Sequence, residues 1–366
     1  MGSYRALHRA KGFVRHGLPG RRAPVKAMLL CAGRGNRLRP LSVGRAKPVM
    51  PLLGRPLVLS ILDRLVEASV DEVVVNLHHL PETVRSVVES HAPAGLSIRF
   101  SEERQILGTA GGLKEVEHLF QDEDEFLLVN GDCYYGFPFG PLVARHREAR
   151  PLATMALRAM PPAATFAPVE LDGEKRIVRI AGRPPSPVRS AQSIRMFVGV
   201  HVLSRDIWST SARGQLRHQR RRLPFALAAR GAIVGLESAL RGDLGTPQRY
   251  LRANLDLLAQ LRDADRAPMT RLVPRRRRLP GRPGRTPSLA ASLGENVRVE
   301  RGARIADSVI LEGAGSAAVP RSSDRSSGGA GSARTSIADT VLCSTTATRS
   351  SPAPVVVTTW SARSVL

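Results

Sequence analysis

Four short, nearly continuous apolar runs mark the first part of the chain, at residues 25–31, 72–77, 96–100 and 125–130. Runs of that length without polar alternation are expected of strands covered on both faces. Between them the spacing changes from continuous to helical. Residues 56–68 place Leu57, Ile61, Leu62, Leu65 and Val66 on one face, and Pro81 with Glu82 opens a second helix carrying Val84, Val87 and Val88. Strands alternating with helices of this length predict an α/β fold built on a doubly wound, mostly parallel sheet. In such sheets ligands lie beyond the carboxyl ends of the strands, so the residues following each strand are the place to look for chemistry.

Strand-like segments resume at 153–157, 169–171, 177–180 and 196–203, and residues 245–262 read as a helix with Tyr250, Leu251, Leu255 and Leu258 on its buried face. One domain over residues 25–262 follows, after a basic extension at 1–24. Residues 263–290 are rich in Arg, Pro and Gly with no apolar period, as a linker is. The period then becomes six: Leu293, Val299, Ile305 and Leu311 recur at that interval, and Val297, Ala303 and Val309 each follow one of them by four. This pattern predicts a short, incomplete left-handed β-helix of hexapeptide repeats over residues 291–313. In the low-complexity tail, 314–366, Ile337–Leu342 echoes Ile305–Ile310 at a separation of 32, which is not a multiple of six. The tail reads either as naturally irregular or as a reading frame disturbed and briefly restored.

The net charge of +24 suggests a polyanion partner until its distribution is considered. Three acid-free stretches, 1–26, 212–222 and 271–285, carry seven, five and seven basic side chains, which is nineteen of the excess charges. The body of the chain is therefore only mildly basic, and aromatic residues at 4% offer little for base stacking. Nucleic-acid binding is not the expectation. No apolar run reaches eighteen residues, the first thirty lack the apolar middle of a signal peptide, and Cys31, Cys133 and Cys343 have no metal-ligand spacing. A cytoplasmic protein without a membrane partner is expected.

After the first predicted strand comes Leu30-Cys31-Ala32-Gly33-Arg34-Gly35-Asn36-Arg37-Leu38-Arg39-Pro40. Its glycines allow a tight turn that presents backbone N–H groups to phosphate oxygens, and Arg37 can add a bidentate, charge-assisted contact. Ten residues on stands Lys47, one of only five lysines, within Ala46-Lys47-Pro48-Val49-Met50-Pro51. Three more segments follow in order: Leu107-Gly108-Thr109-Ala110-Gly111-Gly112-Leu113-Lys114, Val129-Asn130-Gly131-Asp132, and Asp243-Leu244-Gly245-Thr246-Pro247 with Tyr250 and Asn254.

Together these segments resemble the signature of the sugar nucleotidyltransferase family, which includes mannose-1-phosphate guanylyltransferases and glucose-1-phosphate thymidylyl- and uridylyltransferases. The resemblance covers roughly residues 25–262 and implies a Rossmann-like fold, with hexapeptide repeats also found after the catalytic domain in this family. It further implies a nucleoside triphosphate and a sugar 1-phosphate as substrates, with Mg²⁺ as cofactor. Arg37 and Lys47 would contact the triphosphate, with Leu30, Ala32, Gly33, Arg34, Gly35, Asn36, Glu103, Gly108 and Thr109 around the nucleotide. Asp132 and Asp243 would hold the metal, since hard cations take carboxylate oxygens and leave positions for substrate phosphates. Gly131, Arg183 and Gly199 would border the sugar phosphate. A homo-oligomer is compatible with the family.

The chain departs from the family at Gly182-Arg183-Pro184, where relatives often carry Glu-Lys-Pro; the cation is kept and the carboxylate that holds sugar hydroxyls is not. Residues 209–222 are basic and irregular where a helix is expected. For the base, Glu103 lies five residues before Gly108, where pyrimidine-using relatives commonly place an amide. An ionised carboxylate only accepts, and guanine offers two adjacent donors, so GTP is favoured. Two other functions compete with catalysis: a degenerate homologue that binds without turnover, which the joint presence of Arg37, Lys47, Asp132 and Asp243 argues against, and a polyanion-binding protein.

Overall fold

A computed structural model of the chain describes residues 25–160, 166–181, 191–211, 233–237 and 241–264, and the short segments 291–293, 304–305, 308–311, 336–337, 340–342 and 360–361. The basic extension, most of the predicted linker and most of the tail lie outside the described residues. So do Gly182, Arg183 and residues 212–222.

The strands are β1 (Val25–Leu30), β2 (Val70–Leu77), β3 (Ser97–Glu102), β4 (Glu125–Asn130), β5 (Cys133–Tyr135), β6 (Ala153–Ala159), β7 (Pro168–Leu171), β8 (Ile177–Ile180), β9 (Ser193–Ser204), β10 (Ile233–Glu237) and β11 (Arg241–Asp243). The helices are α1 (Leu57–Glu67), α2 (Pro81–His91), α3 (Gly108–Glu115), α4 (Gly140–Ala149), α5 (Ile207–Ser211) and α6 (Pro247–Ala264). Among the described residues the main sheet has nine strands, and its longest path is β8-β7-β9-β4-β1-β2-β3. β3, β2, β1 and β4 pair in parallel. β9 turns the direction, running antiparallel to β4, β6 and β7, so the sheet is mixed beyond its parallel core.

The alternation along each core strand explains the two-sided burial read from the sequence. Ala27 and Leu29 of β1, Val73 and Val75 of β2, and Leu127 and Val129 of β4 enter one apolar layer, beneath α1 and α2. Met28, Val74, Phe126 and Leu128 enter the other, with Leu113 of α3 and Trp208 of α5. In chain order the four parallel strands stand third, second, first, fourth across the sheet. The chain therefore winds away from β1 in one direction and returns on its other side, opening a crevice beyond the ends of β1 and β4.

The carboxyl-terminal fragments include β12 (Ala291–Leu293), β13 (Arg304–Ile305), β14 (Ser308–Ile310), β15 (Ser336–Ile337) and β16 (Thr340–Leu342). They stack in parallel: Ala291 faces Ser308, Ile305 faces Ile337, and Val309 faces Val341. The echo at a separation of 32 is thus a structural register. Val309 and Leu311 are buried in the same apolar layer as Leu251 and Ala253 of α6.

Candidate active site

The crevice predicted by the strand order is a cleft of about 380 Å³. Its floor begins where β1 and β4 end side by side, Leu30 opposite Asn130. Gly131 permits this: its N–H donates to the Leu30 carbonyl at 2.9 Å, and a Cβ there would lie 2.6 Å from Cys31 Sγ. No larger residue fits, so the chain can deliver Asp132 to the start of the glycine-rich loop. Gly35, at φ 65°, supplies the left-handed turn that starts the short helix Asn36–Leu38, and its carbonyl accepts from Ser42 Oγ at 3.0 Å.

Lys47 is buried, with 6% of its surface exposed, and its Nζ donates to Asp132 Oδ2 at 2.9 Å. The Asp132 side chain is 43% exposed, so the pair sits with its lysine in the wall and its carboxylate at the opening. The Cys133 thiol donates to Asp132 Oδ1 at 3.3 Å. Burial, with the Asp132 charge added, pushes the Cys31 thiol well above its ordinary pKa, so it stays a neutral packing group and not a nucleophile. Arg37 lines the same cleft, and among the described residues it has no ion-pair partner.

Tyr250 and Asn254 of α6 act at a distance from the cleft. The Tyr250 hydroxyl donates to the Pro51 carbonyl, and Asn254 Oδ1 accepts from the Leu53 N–H at 3.0 Å while its Nδ2 donates to the Tyr250 carbonyl at 2.9 Å. They pin the turn following Lys47-Pro48 onto α6.

At the opposite end of the cleft lie Glu103, Ile106, Gly108 and Thr109. Glu103 is 5% exposed; its Oε1 accepts from Asn76 Nδ2 at 2.7 Å and its Oε2 from the Leu107 N–H at 2.9 Å. Leu30, Ala32, Gly33, Gly35, Asn36, Arg37, Lys47, Glu103, Gly108, Thr109 and Asp132 therefore share one cleft. Arg34 lines an adjoining cavity with His78, Arg104, Gln105 and Ile106. Gly199, at φ 98°, borders Asn130, and its carbonyl accepts from the Tyr135 hydroxyl at 3.2 Å. Asp243 is the β11 residue facing Cys133 of β5, one position from Asp132, and Gly245 reaches the cleft wall. Arg183 lies outside the described residues.

Sequence reasoning passed over Asn76 and Ile106, and quoted Asn130 within its motif without giving it a role. A polar residue inside the apolar run Val73-Val74-Val75-Asn76-Leu77 was the available signal for the first.

The sequence profile of the nucleotidyl transferase family matches residues 26–260, the whole region that carries this cleft. The chain is 28% identical over 293 residues to a mannose-1-phosphate guanylyltransferase of Mycobacterium tuberculosis, an alignment covering 79% of each chain. It is 29% identical over 204 residues to a UTP–glucose-1-phosphate uridylyltransferase of Synechocystis sp., covering 52% of each. A UDP-glucose pyrophosphorylase from Acinetobacter baumanii shares the fold, with a TM-score of 0.55 at 20% identity over 65% of this chain and 94% of that one. By this match over most of its length, and by the ordered motifs that line one cleft, the chain belongs to the nucleotidyl transferase family.

Proposed function

We propose that the protein transfers the nucleotidyl group of a nucleoside triphosphate to a sugar 1-phosphate, releasing pyrophosphate, with GTP and mannose 1-phosphate as its substrates. The observation that carries this reading is the convergence of Arg37, Lys47 and Asp132 on one cleft at the switch point of the sheet. A sugar-phosphate oxygen attacks the α-phosphorus, one P–O bond forms, the bond to the bridging oxygen breaks, and pyrophosphate leaves. The attacking phosphate is already ionised, so the protein's task is to align the reactants and neutralise charge. Backbone N–H groups of the Gly33–Gly35 turn face the phosphates, while Arg37 and Lys47 balance the charge that spreads over them.

The donor set fits Mg²⁺. Asp132 is a half-exposed carboxylate at the cleft opening, Asp243 lies on the neighbouring strand, and Mg²⁺ is usually held by one or two carboxylates with substrate phosphates completing the set. When bound, the ion neutralises phosphate charge and orients the leaving group. Arg183 and Gly199 border the sugar phosphate on this reading.

GTP is favoured by the guanylyltransferase relative, while Glu103, whose two oxygens accept from Asn76 and from the Leu107 N–H, lines the base end of the cleft. A uridylyltransferase is the second reading, supported by the Synechocystis relative. Residues 291–313 complete the picture as a hexapeptide-repeat coil, supported by parallel stacking of β12 on β14. Assaying GTP, UTP and dTTP against mannose and glucose 1-phosphates for nucleotide-sugar formation tests the assignment. The expected result is the highest kcat/KM with GTP and mannose 1-phosphate; preference for UTP with glucose 1-phosphate would replace it with the second reading.

A further inference from the structure

Asn76 interrupts the apolar run of β2 just before the buried Leu77 and is 3% exposed. Its Oδ1 accepts from the Cys31 N–H at 2.7 Å, and its Nδ2 donates to Glu103 Oε1 at 2.7 Å. Glu103 Oε2 then accepts from the Leu107 N–H at 2.9 Å. This chain of three bonds begins and ends on backbone donors, one opening the glycine-rich loop and one immediately before Gly108. Two side chains bridging two donors must each turn an acceptor outward, and where they meet one must donate and the other accept. An amide followed by an acid meets that condition. So does an acid followed by an amide, but two amides place donor against donor and two ionised acids place acceptor against acceptor. Gly112 closes the bridge from above: a Cβ there would lie 2.6 Å from Glu103 Oε1 and 3.0 Å from Asn76 Nδ2.

We propose that Asn76 and Glu103 are a polarity-matched positioning pair that fixes the distance between the phosphate-holding loop and the base-holding segment, so that the nucleotide meets a preformed cleft. The pair acts on nucleotide binding through the backbone at Cys31 and Leu107, and the effect of Glu103 is exerted first through this bridge and not through the base. The inference rests on the reading that the cleft holds a nucleoside triphosphate. It follows that exchanging the two chemistries restores the bridge. In the double variant Asn76→Asp with Glu103→Gln, the aspartate accepts from the Cys31 N–H and from the new amide, whose oxygen accepts from the Leu107 N–H.

The test is a double-mutant cycle on the full-length protein, with calorimetric Kd values for GTP and UTP, KM for sugar 1-phosphate, and melting temperatures. Each single variant leaves a buried polar junction mismatched, and should weaken both nucleotides on the order of tenfold or more while sugar-phosphate KM moves by less than about threefold. The double variant should return nucleotide affinity to within about threefold of wild type. If a single variant does not fold, folding and nucleotide binding by the double is the same rescue. Losses that multiply in the double, or singles that bind like wild type, overturn the proposal. A loss confined to GTP in Glu103→Gln that Asn76→Asp does not repair also overturns it and makes Glu103 a direct reader of the base. Wild-type protein that binds neither nucleotide brings down the functional reading and this inference together, whereas failure of rescue alone brings down only the inference.

Discussion

At one end of the cleft Arg37 and the half-exposed Asp132 present charge to open space, and Lys47 reaches them from the wall. At the other end Asn76 and Glu103 are buried, bonded to each other and to the backbone, and roofed by Gly112. The difference is one of what each end can do in the free protein. A buried polar group left unpaired costs about 1–3 kcal/mol, so the closed end must satisfy itself before any ligand arrives and gains rigidity from doing so. At the open end Lys47 and Asp132 are paired with each other, and on the proposed reading this pair and Arg37 meet the phosphate charge that spreads in the transition state. On that reading the closed end holds the nucleotide and the open end promotes the reaction.

The comparison is tested hardest where the charges are removed. Lys47→Ala and Asp132→Asn should each lower kcat/KM on the order of a hundredfold or more, with little change in melting temperature for the half-exposed Asp132. Retention of near-wild-type turnover by either would move the reactive end elsewhere. Asp243→Asn should act through the metal: the Mg²⁺ concentration for half-maximal rate rises on the order of tenfold, and an unchanged metal titration would remove Asp243 from that role. Gly112→Ala tests the closed end, raising nucleotide KM on the order of tenfold with a smaller effect on kcat; a kcat loss at unchanged KM would erase the distinction between the two ends.

Regions remote from the cleft should move stability and leave turnover alone. Ending the chain at residue 290 removes Val309 and Leu311 from the layer they share with α6. Each such side chain contributes about 1.5–3 kcal/mol when fully buried, so melting should fall on the order of ten degrees while kcat stays within about threefold. A folded truncation without activity would tie the tail to the site. His201 and His146 make the smallest change to turnover. Burial holds their pKa values down to about 3 and about 4, from 6.5, with Arg147 adding to the effect at His146. The unfolded chain takes up these protons near the ordinary value and the folded chain does not, so stability is full above it and declines as pH falls toward about 4. Melting temperature against pH should show this decline, and His201→Leu should flatten it, since both ring nitrogens of His201 lack partners among the described residues. An equally steep decline in the variant would assign the acid sensitivity to other groups.

Much of this was legible in the sequence, for a physical reason. Strands buried on both faces need unbroken apolar runs, and residues 125–130 were bounded correctly because Glu125 and Asn130 frame one. The glycine-rich loop was readable because its tight turn needs a left-handed backbone, as Gly35 supplies at φ 65°. α3 was not identified as a helix, because Gly108, Gly111 and Gly112 lower helix propensity and the helix is held by packing and the Glu103 bridge. Asn76 was missed because a hydrogen bond to the backbone 45 residues away leaves no periodicity. The antiparallel return of β9 was equally silent, since an apolar strand reads the same in either direction.

The most direct measurement is pyrophosphate release by the purified protein given GTP and mannose 1-phosphate, each omitted in turn, with Mg²⁺ present and then chelated. Release is expected only when nucleotide, sugar 1-phosphate and metal are all present, with GDP-mannose formed in equal amount. Release from GTP without sugar 1-phosphate, or no nucleotide-sugar from any pairing of triphosphate and sugar 1-phosphate, would contradict it.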